Sequence, residues 1–147
     1  MKRSWAVVLL TVTIVAGCRL PPEVAPLRPL PENGSLYAYQ EILSRARALA
    51  NAALESFYED NWADLEEAAK GLEQTARFLP KTTEQPAHLK DTLVQASGEL
   101  GKEATKLGET AKAKDVPATT EVLRRLTLQI RSLRPKDGLE KPKSEKD

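Results

Sequence analysis

The chain has 147 residues, and its 22 Lys and Arg against 21 Asp and Glu give a formal net charge of +1 at pH 7. This balance excludes a dedicated nucleic-acid binder, because such proteins depend on an excess of basic side chains that meet phosphates. Hydrophobic residues make up 41% and aromatic residues only 5%, so the composition favours helices over a β-sandwich or a barrel.

The first 17 residues have the pattern of a secretion leader. Lys2 and Arg3 precede an apolar run from Trp5 to Val15. That run is shorter than the roughly 20 residues that a membrane-spanning helix needs. The sequence therefore predicts a cleaved signal peptide over residues 1–17 and not a stable membrane span.

The end of this leader, Ile14-Val15-Ala16-Gly17-Cys18, resembles the lipobox of bacterial lipoproteins. The resemblance implies cleavage between Gly17 and Cys18 and acylation of the Cys18 thiol with fatty acids such as palmitate, which would anchor the protein to a membrane. Arg19 stands where that family has an aspartate in proteins retained at the inner membrane, and this implies the outer membrane of the cell envelope, facing the periplasm. The alternative is that Cys18, the only cysteine, is an ordinary small residue.

Residues 18–34 are rich in proline. A segment of this kind favours extended polyproline geometry and predicts a semi-rigid tether, which at about 3.1 Å per residue would reach up to about 50 Å. The alternative is that the segment packs along the domain. Its prolines are Pro21, Pro22, Pro26, Pro29 and Pro31, and the apolar residues available for packing are Leu20, Val24, Leu27 and Leu30.

Two helices are predicted next, each with apolar residues spaced three and four apart along one face. Ser35 is the predicted N-cap of the first helix and Asn61 that of the second, which ends at Pro80. The link between the two helices is so short that they should run antiparallel. The apolar stripes are Leu36, Tyr39, Leu43, Ala46, Ala50, Ala53 and Phe57, then Trp62, Leu65, Ala69, Leu72, Ala76 and Leu79.

Two further helices follow. Pro86 suits the first turn of the third helix, while Asp115 is the predicted N-cap of the fourth, which tolerates Pro117 in its opening turn and ends before Pro135. Their stripes are Leu89, Leu93, Ala96, Leu100, Ala104, Leu107 and Ala111, then Val116, Thr119, Leu123, Leu126, Ile130 and Leu133.

Four stripes of similar width predict an all-α fold: an antiparallel, up-down-up-down four-helix bundle over residues 35–134. Residues 135–147 are charged and poor in apolar side chains, which predicts a disordered tail. Gly98, Gly101 and Gly108 weaken the third helix and leave a three-helix arrangement as an alternative, although they also permit close approach of a neighbouring helix.

The helix order, the tryptophan at the start of the second helix and the sequence Ala-Lys-Ala-Lys-Asp-Val at 111–116 are similar to the cytochrome c-prime family. That family holds haem through a Cys-x-x-Cys-His motif in its last helix. Residues 126–133 contain neither cysteine nor histidine, so the resemblance implies the architecture but not the haem site.

No catalytic, cofactor or metal site is predicted. His88 is the only histidine, and a solvated or helix-end role suits it better than metal ligation. The acidic pairs Glu66 with Glu67 and Asp60 with Asp64 are interpreted as solvated surface charge, because no apolar pocket is evident around them.

Two surface features remain. The fourth helix carries four arginines against Glu121, which either steer a partner or lock neighbouring helices together. The aromatic residues are predicted to fill one end of the bundle near the first turn, and any of Tyr37, Tyr58 and Trp62 exposed together would form an interaction patch. The arginines are Arg124, Arg125, Arg131 and Arg134, and the aromatic residues are Tyr37, Tyr39, Phe57, Tyr58 and Trp62.

The sequence therefore predicts a non-enzymatic envelope lipoprotein. Its partners would be a membrane, reached through the lipid on Cys18, and a second envelope protein, with no nucleic acid. The helical bundle would act as a binding or structural module. The alternative is a cytochrome c-prime-like bundle without covalent haem that binds a small apolar ligand between its helices.

Overall fold

The computed structural model describes residues 29–31 and 37–135, and within these ranges the fold is all-α. The helices are α1 (Tyr39–Tyr58), α2 (Trp62–Phe78), α3 (Leu93–Ala113) and α4 (Val116–Ser132), and a single 3-10 turn follows α2 at Leu79–Lys81. The described residues contain no β-strand. The predicted all-α class is confirmed, while Gly17, Cys18, the predicted leader and the predicted tail after Pro135 lie outside the described residues.

Two of the predicted N-caps are confirmed. The side-chain oxygen of Asn61 accepts a hydrogen bond from the Asp64 N–H at 3.2 Å, and that of Asp115 accepts one from the Ala118 N–H at 3.0 Å. Each bond satisfies a donor that the first helical turn leaves without a partner, and such caps contribute about 1 kcal/mol. They fix where α2 and α4 begin.

The predicted start of the first helix is wrong. Its N-cap is Ala38, which has no capping side chain, and not Ser35, which lies outside the described residues. The N–H of Tyr39 donates instead to the Thr83 carbonyl at 3.0 Å. A distant backbone segment therefore does here what a capping side chain does in α2 and α4.

The predicted start of the third helix is also wrong, because α3 begins at Leu93 and not near Pro86. Between them the backbone forms successive four-residue turns, with the N–H of Leu89 donating to the Pro86 carbonyl at 2.9 Å. The side-chain amide of Gln85 donates to the carbonyls of Pro80 and Thr82, both at 3.0 Å. Tight turns and side-chain bonds thus replace a regular helix in this connection.

The core lies along the contacts between sequential helices. Helix α1 contacts α2 and α4, and α3 contacts the same two helices. Every predicted stripe residue in the described part is buried or half-buried except Val116, which is 51% exposed in the first turn of α4. The predicted stripes left out part of the core, because Ile42, Leu49 and Val122 are buried as well.

Helix α3 is continuous through its glycines, so the three-helix alternative is wrong. A β-carbon added at Gly101 would lie 3.7 Å from the Ala76 Cβ, and one added at Gly108 would lie 3.7 Å from the Ala69 Cβ, whereas Gly98 has no such neighbour within 4 Å. Gly101 and Gly108 therefore face α2, which confirms the interpretation that they serve packing.

Part of the proline-rich segment is described, and it contacts α2. The backbone N–H of Leu30 donates to the side-chain oxygen of Gln74 at 2.9 Å, and the Gln74 amide donates to the Leu30 carbonyl at 2.9 Å. Leu30 also packs against the core. The alternative in which the proline-rich segment packs along the domain predicts a contact of this kind for Leu30.

Candidate functional site

The aromatic residues do not form one cluster, so that prediction is wrong. Phe57 contacts Tyr58 and Trp62 at the turn between α1 and α2, with ring centroids 6.0 Å and 5.9 Å apart. Tyr37 instead packs edge-on against Phe78 at 5.6 Å. The two groups are far apart because they lie at opposite ends of α1, which has 20 residues and is therefore about 30 Å long.

No exposed aromatic patch of the predicted kind exists in the described residues. Tyr58 is 83% exposed, but Tyr37 and Trp62 are half-buried, and Tyr37 is at the other end of α1. Single exposed apolar residues are ordinary on protein surfaces. The aromatic side chains therefore serve mainly to pack the two ends of the helical domain.

The titratable residues considered for chemistry are on the surface. His88 is exposed in the connection before α3, and Asp60, Asp64 and Glu67 are exposed around the start of α2. Within residues 29–31 and 37–135, no group of three or more His, Cys, Asp or Glu side chains is arranged to hold a metal ion.

The arginines of the α4 region fall into two groups, and the two in the middle of the helix are paired with carboxylates. Arg124 donates to Glu121 at 2.8 Å and 3.0 Å, while the Arg125 Nε donates to Glu103 on α3 at 3.0 Å. The hydrogen bond from Arg124 lowers the pKa of the Glu121 carboxyl and raises that of Arg124. The interpretation that arginines of this helix lock neighbouring helices together is confirmed for Arg125.

The arginines at the end of α4 have a different environment. Arg131 and Arg134 join Arg47 of α1 in lining a cleft of about 220 Å³ between the two helices, which we name the arginine cleft. Its lining consists of Arg47, Ala50, Asn51, Thr127, Ile130, Arg131 and Arg134. Arg131 and Arg134 stand out in the sequence for their charge, whereas no pattern in the sequence marks Arg47 and Asn51.

The arginine cleft has no counter-charge in the described part of the chain. Among residues 29–31 and 37–135, no carboxylate lines it, and none lies within 4.0 Å of the guanidinium groups of its three arginines. The Nε atom of Arg47 is buried and has no hydrogen-bond partner there. Three like charges around one cleft repel each other, and a buried donor without a partner costs about 1–3 kcal/mol.

A hydrogen bond joins the start of α1 to the residue that follows the end of α4. The Tyr39 hydroxyl donates to the Leu133 carbonyl at 2.6 Å, and Leu133 lies between two of the cleft arginines in sequence. Tyr39 is fully buried, and burial raises the pKa of its hydroxyl, an effect that the charge of Arg47 partly opposes. The neutral hydroxyl therefore holds the end of α4 against the start of α1.

A comparison of the chain with protein-family models, with curated proteins and with solved structures found no match. None of the helices in the described ranges has both the length and the apolar character needed to cross a lipid bilayer.

Proposed function

We propose that this protein is a lipid-anchored lipoprotein of the bacterial cell envelope whose helical domain is a non-enzymatic binding module. The observation that carries the anchor is the sequence at residues 1–18, where a basic start and an apolar run end at the only cysteine of the chain. Two or three acyl chains on one residue bind a membrane stably. The identity of Arg19 favours the outer membrane, facing the periplasm.

A binding role is supported by the arginine cleft. A purely structural bundle has no need to gather Arg47, Arg131 and Arg134 around one cleft that no carboxylate of the described residues lines, because their mutual repulsion destabilises the fold. The other arginines of α4 show that this chain can place carboxylates beside guanidinium groups, as Glu103 does for Arg125. The alternative of a small apolar ligand has weaker support, because five of the seven residues that line this cleft are charged or polar.

The up-down-up-down order of the helices is part of the same proposal, and contacts at both ends of the domain support it. As the residue number increases along one helix, the number of the residue that it contacts on the next helix decreases, which is the pattern of antiparallel helices. The pairs are Ala69 with Gly108 and Ala76 with Gly101 between α2 and α3, Phe57 with Trp62 between α1 and α2, Glu103 with Arg125 between α3 and α4, and Tyr39 with Leu133 between the two ends.

This order is tested by cross-linking α2 to α3. With cysteines at positions 69 and 108, the two β-carbons should lie about 3.7 Å apart, inside the roughly 3.5–4.5 Å range of disulfides. We expect the double variant Ala69→Cys with Gly108→Cys to form an internal disulfide on mild oxidation, seen as a mass loss of two hydrogens. The matched control pairs Ala69→Cys with Gly101→Cys, and parallel helices would instead favour this control.

The anchor is tested by labelling cells with radioactive palmitate. The wild-type chain is expected to incorporate the label and to lose residues 1–17, as read by mass spectrometry, whereas Cys18→Ser should incorporate none. A matched control combines Cys18→Ser with Ser35→Cys, which restores a thiol at the wrong position and should stay unlabelled. An unlabelled wild-type chain, or equal labelling of Cys18→Ser, would contradict the proposal.

A further inference from the structure

We propose that the arginine cleft is a binding site for a phosphate group. This inference rests on the binding role proposed above but not on the lipid anchor. Its partners are the guanidinium groups of Arg47, Arg131 and Arg134 and the amide of Asn51, which come from two helices that are distant in sequence. Guanidinium groups are planar forks of donors that match the oxygens of phosphate, often through two parallel hydrogen bonds.

The charge of the site favours an anion and not merely a polar ligand. Residues 37–135 carry 14 Lys and Arg against 15 Asp and Glu, so the positive cleft is a local feature of a nearly neutral domain. The carbonyl end of α4 contributes about half a negative charge near Arg131 and Arg134. Three guanidinium groups outweigh that half charge, and a phosphate would relieve their repulsion.

One of the arginines that line the cleft has a donor without a partner among the described residues. The Nε of Arg47 is buried and unpaired in the described part of the chain, and buried donors in folded proteins nearly always have an acceptor, a water or an ion. A water-sized atom does not reach this Nε in the structure, so a phosphate oxygen would accept its hydrogen bond after a small rotation of the Arg47 side chain. The paired Nε of Arg125, which donates to Glu103 at 3.0 Å, shows the contact that the Arg47 Nε lacks.

The size of the cleft indicates how much of a ligand it holds. Its volume of about 220 Å³ is below the roughly 300–1,000 Å³ of pockets for drug-sized molecules. Arg131 and Arg134 are exposed, so one side of the cleft is open. The cleft therefore suits a single phosphate group, either free or attached to a larger molecule that remains outside.

Phosphate in this site has two sources, a lipid headgroup or a water-soluble phosphate. The experiment uses the purified full-length protein in a neutral detergent and phosphate-free buffer of low ionic strength. Isothermal titration calorimetry is performed with inorganic phosphate, with glycerol 3-phosphate and with short-chain dihexanoyl phosphatidic acid. Saturable binding is expected for all three, and tighter binding of the phosphatidic acid than of glycerol 3-phosphate would indicate a lipid source, whereas equal binding would indicate a soluble one.

Three variants distinguish binding in the cleft from non-specific attraction of the probes to positively charged side chains. Arg47→Gln and Arg131→Gln should each weaken the binding of all three probes roughly ten- to hundredfold, because each removes a charge-assisted hydrogen bond. Arg77→Gln removes the same charge from an exposed position on α2 and should change binding less than twofold. Circular dichroism checks that every variant is folded, and Arg134→Gln, at an exposed site, replaces Arg47→Gln if the latter is unfolded.

The proposal is overturned if no probe binds saturably to the wild-type protein, or if Arg131→Gln and Arg77→Gln bind the probes equally. Binding of phosphatidic acid alone that survives Arg131→Gln and Arg134→Gln would also overturn it, since the acyl chains would then be the recognised part. The palmitate result at Cys18 is independent of these outcomes, so failure of the phosphate site is distinguishable from failure of the anchor.

Discussion

Replacing Leu126 by alanine is expected to lower the free energy of unfolding by about 2–5 kcal/mol. Leu126 is 1% exposed in the middle of α4, so the substitution removes buried methyl groups and leaves a cavity that the neighbouring helices fill only in part. Urea titration followed by circular dichroism measures the loss. In a domain of this size we expect the midpoint of thermal unfolding to fall by on the order of 10 °C or more.

Leu128→Ala is the matched control for this prediction. It makes the same chemical change two residues further along the same helix, where the side chain is 50% exposed. Its expected cost is below about 1 kcal/mol, because most of the removed surface is already in contact with water. Equal losses in the two variants would contradict the assignment of the α4 face that packs into the core.

Replacing Tyr39 by phenylalanine is expected to lower the free energy of unfolding by about 1–3 kcal/mol at pH 7. The variant keeps the buried ring but removes the donor that contacts the Leu133 carbonyl at 2.6 Å, and the carbonyl is left without that partner. Tyr58→Phe is the control, because its side chain is 83% exposed and should change stability by less than about 0.5 kcal/mol.

The stabilisation by Tyr39 should also depend on pH. Burial raises the pKa of its hydroxyl in the folded state, so above the ordinary value of about 10 the unfolded chain releases this proton first. The unfolded state then binds fewer protons than the folded state, and stability falls as pH rises. The difference in unfolding free energy between wild type and Tyr39→Phe is expected to be constant up to about pH 9 and to shrink at higher pH. A difference that grows with pH would contradict this account.

The sequence predicted those parts of the fold that are determined within one helical turn. Asn61 and Asp115 are three residues before the N–H groups that they cap, and such local contacts are visible as sequence patterns. The start of α1 was not predictable in this way, because the partner of the Tyr39 N–H is Thr83, more than forty residues away. The start of α3 was missed because a proline suits a turn as well as a helix.

The arginine cleft shows the same limit at the level of function. The excess of arginine on α4 is visible in the sequence, and so is Glu121 three and four residues before Arg124 and Arg125, but the pairing of Arg125 with Glu103 on α3 is not. Arg47 lies beside the apolar face of α1, and no sequence pattern around it indicates its role. A partial signal was present: Arg131 lies in the last turn of α4 and has no acidic residue within four positions in the sequence.

The bond between Tyr39 and Leu133 joins residues 94 positions apart, so the chain enters and leaves the helical domain at one place. Topologically the domain is close to a closed ring that is cut at this point. Such a ring tolerates circular permutation: linking the two ends and opening the chain at the exposed turn around Asp60 would keep each helix beside the same two neighbours. Evolution could therefore exchange the segments that flank this domain, at either end, without rebuilding its interior.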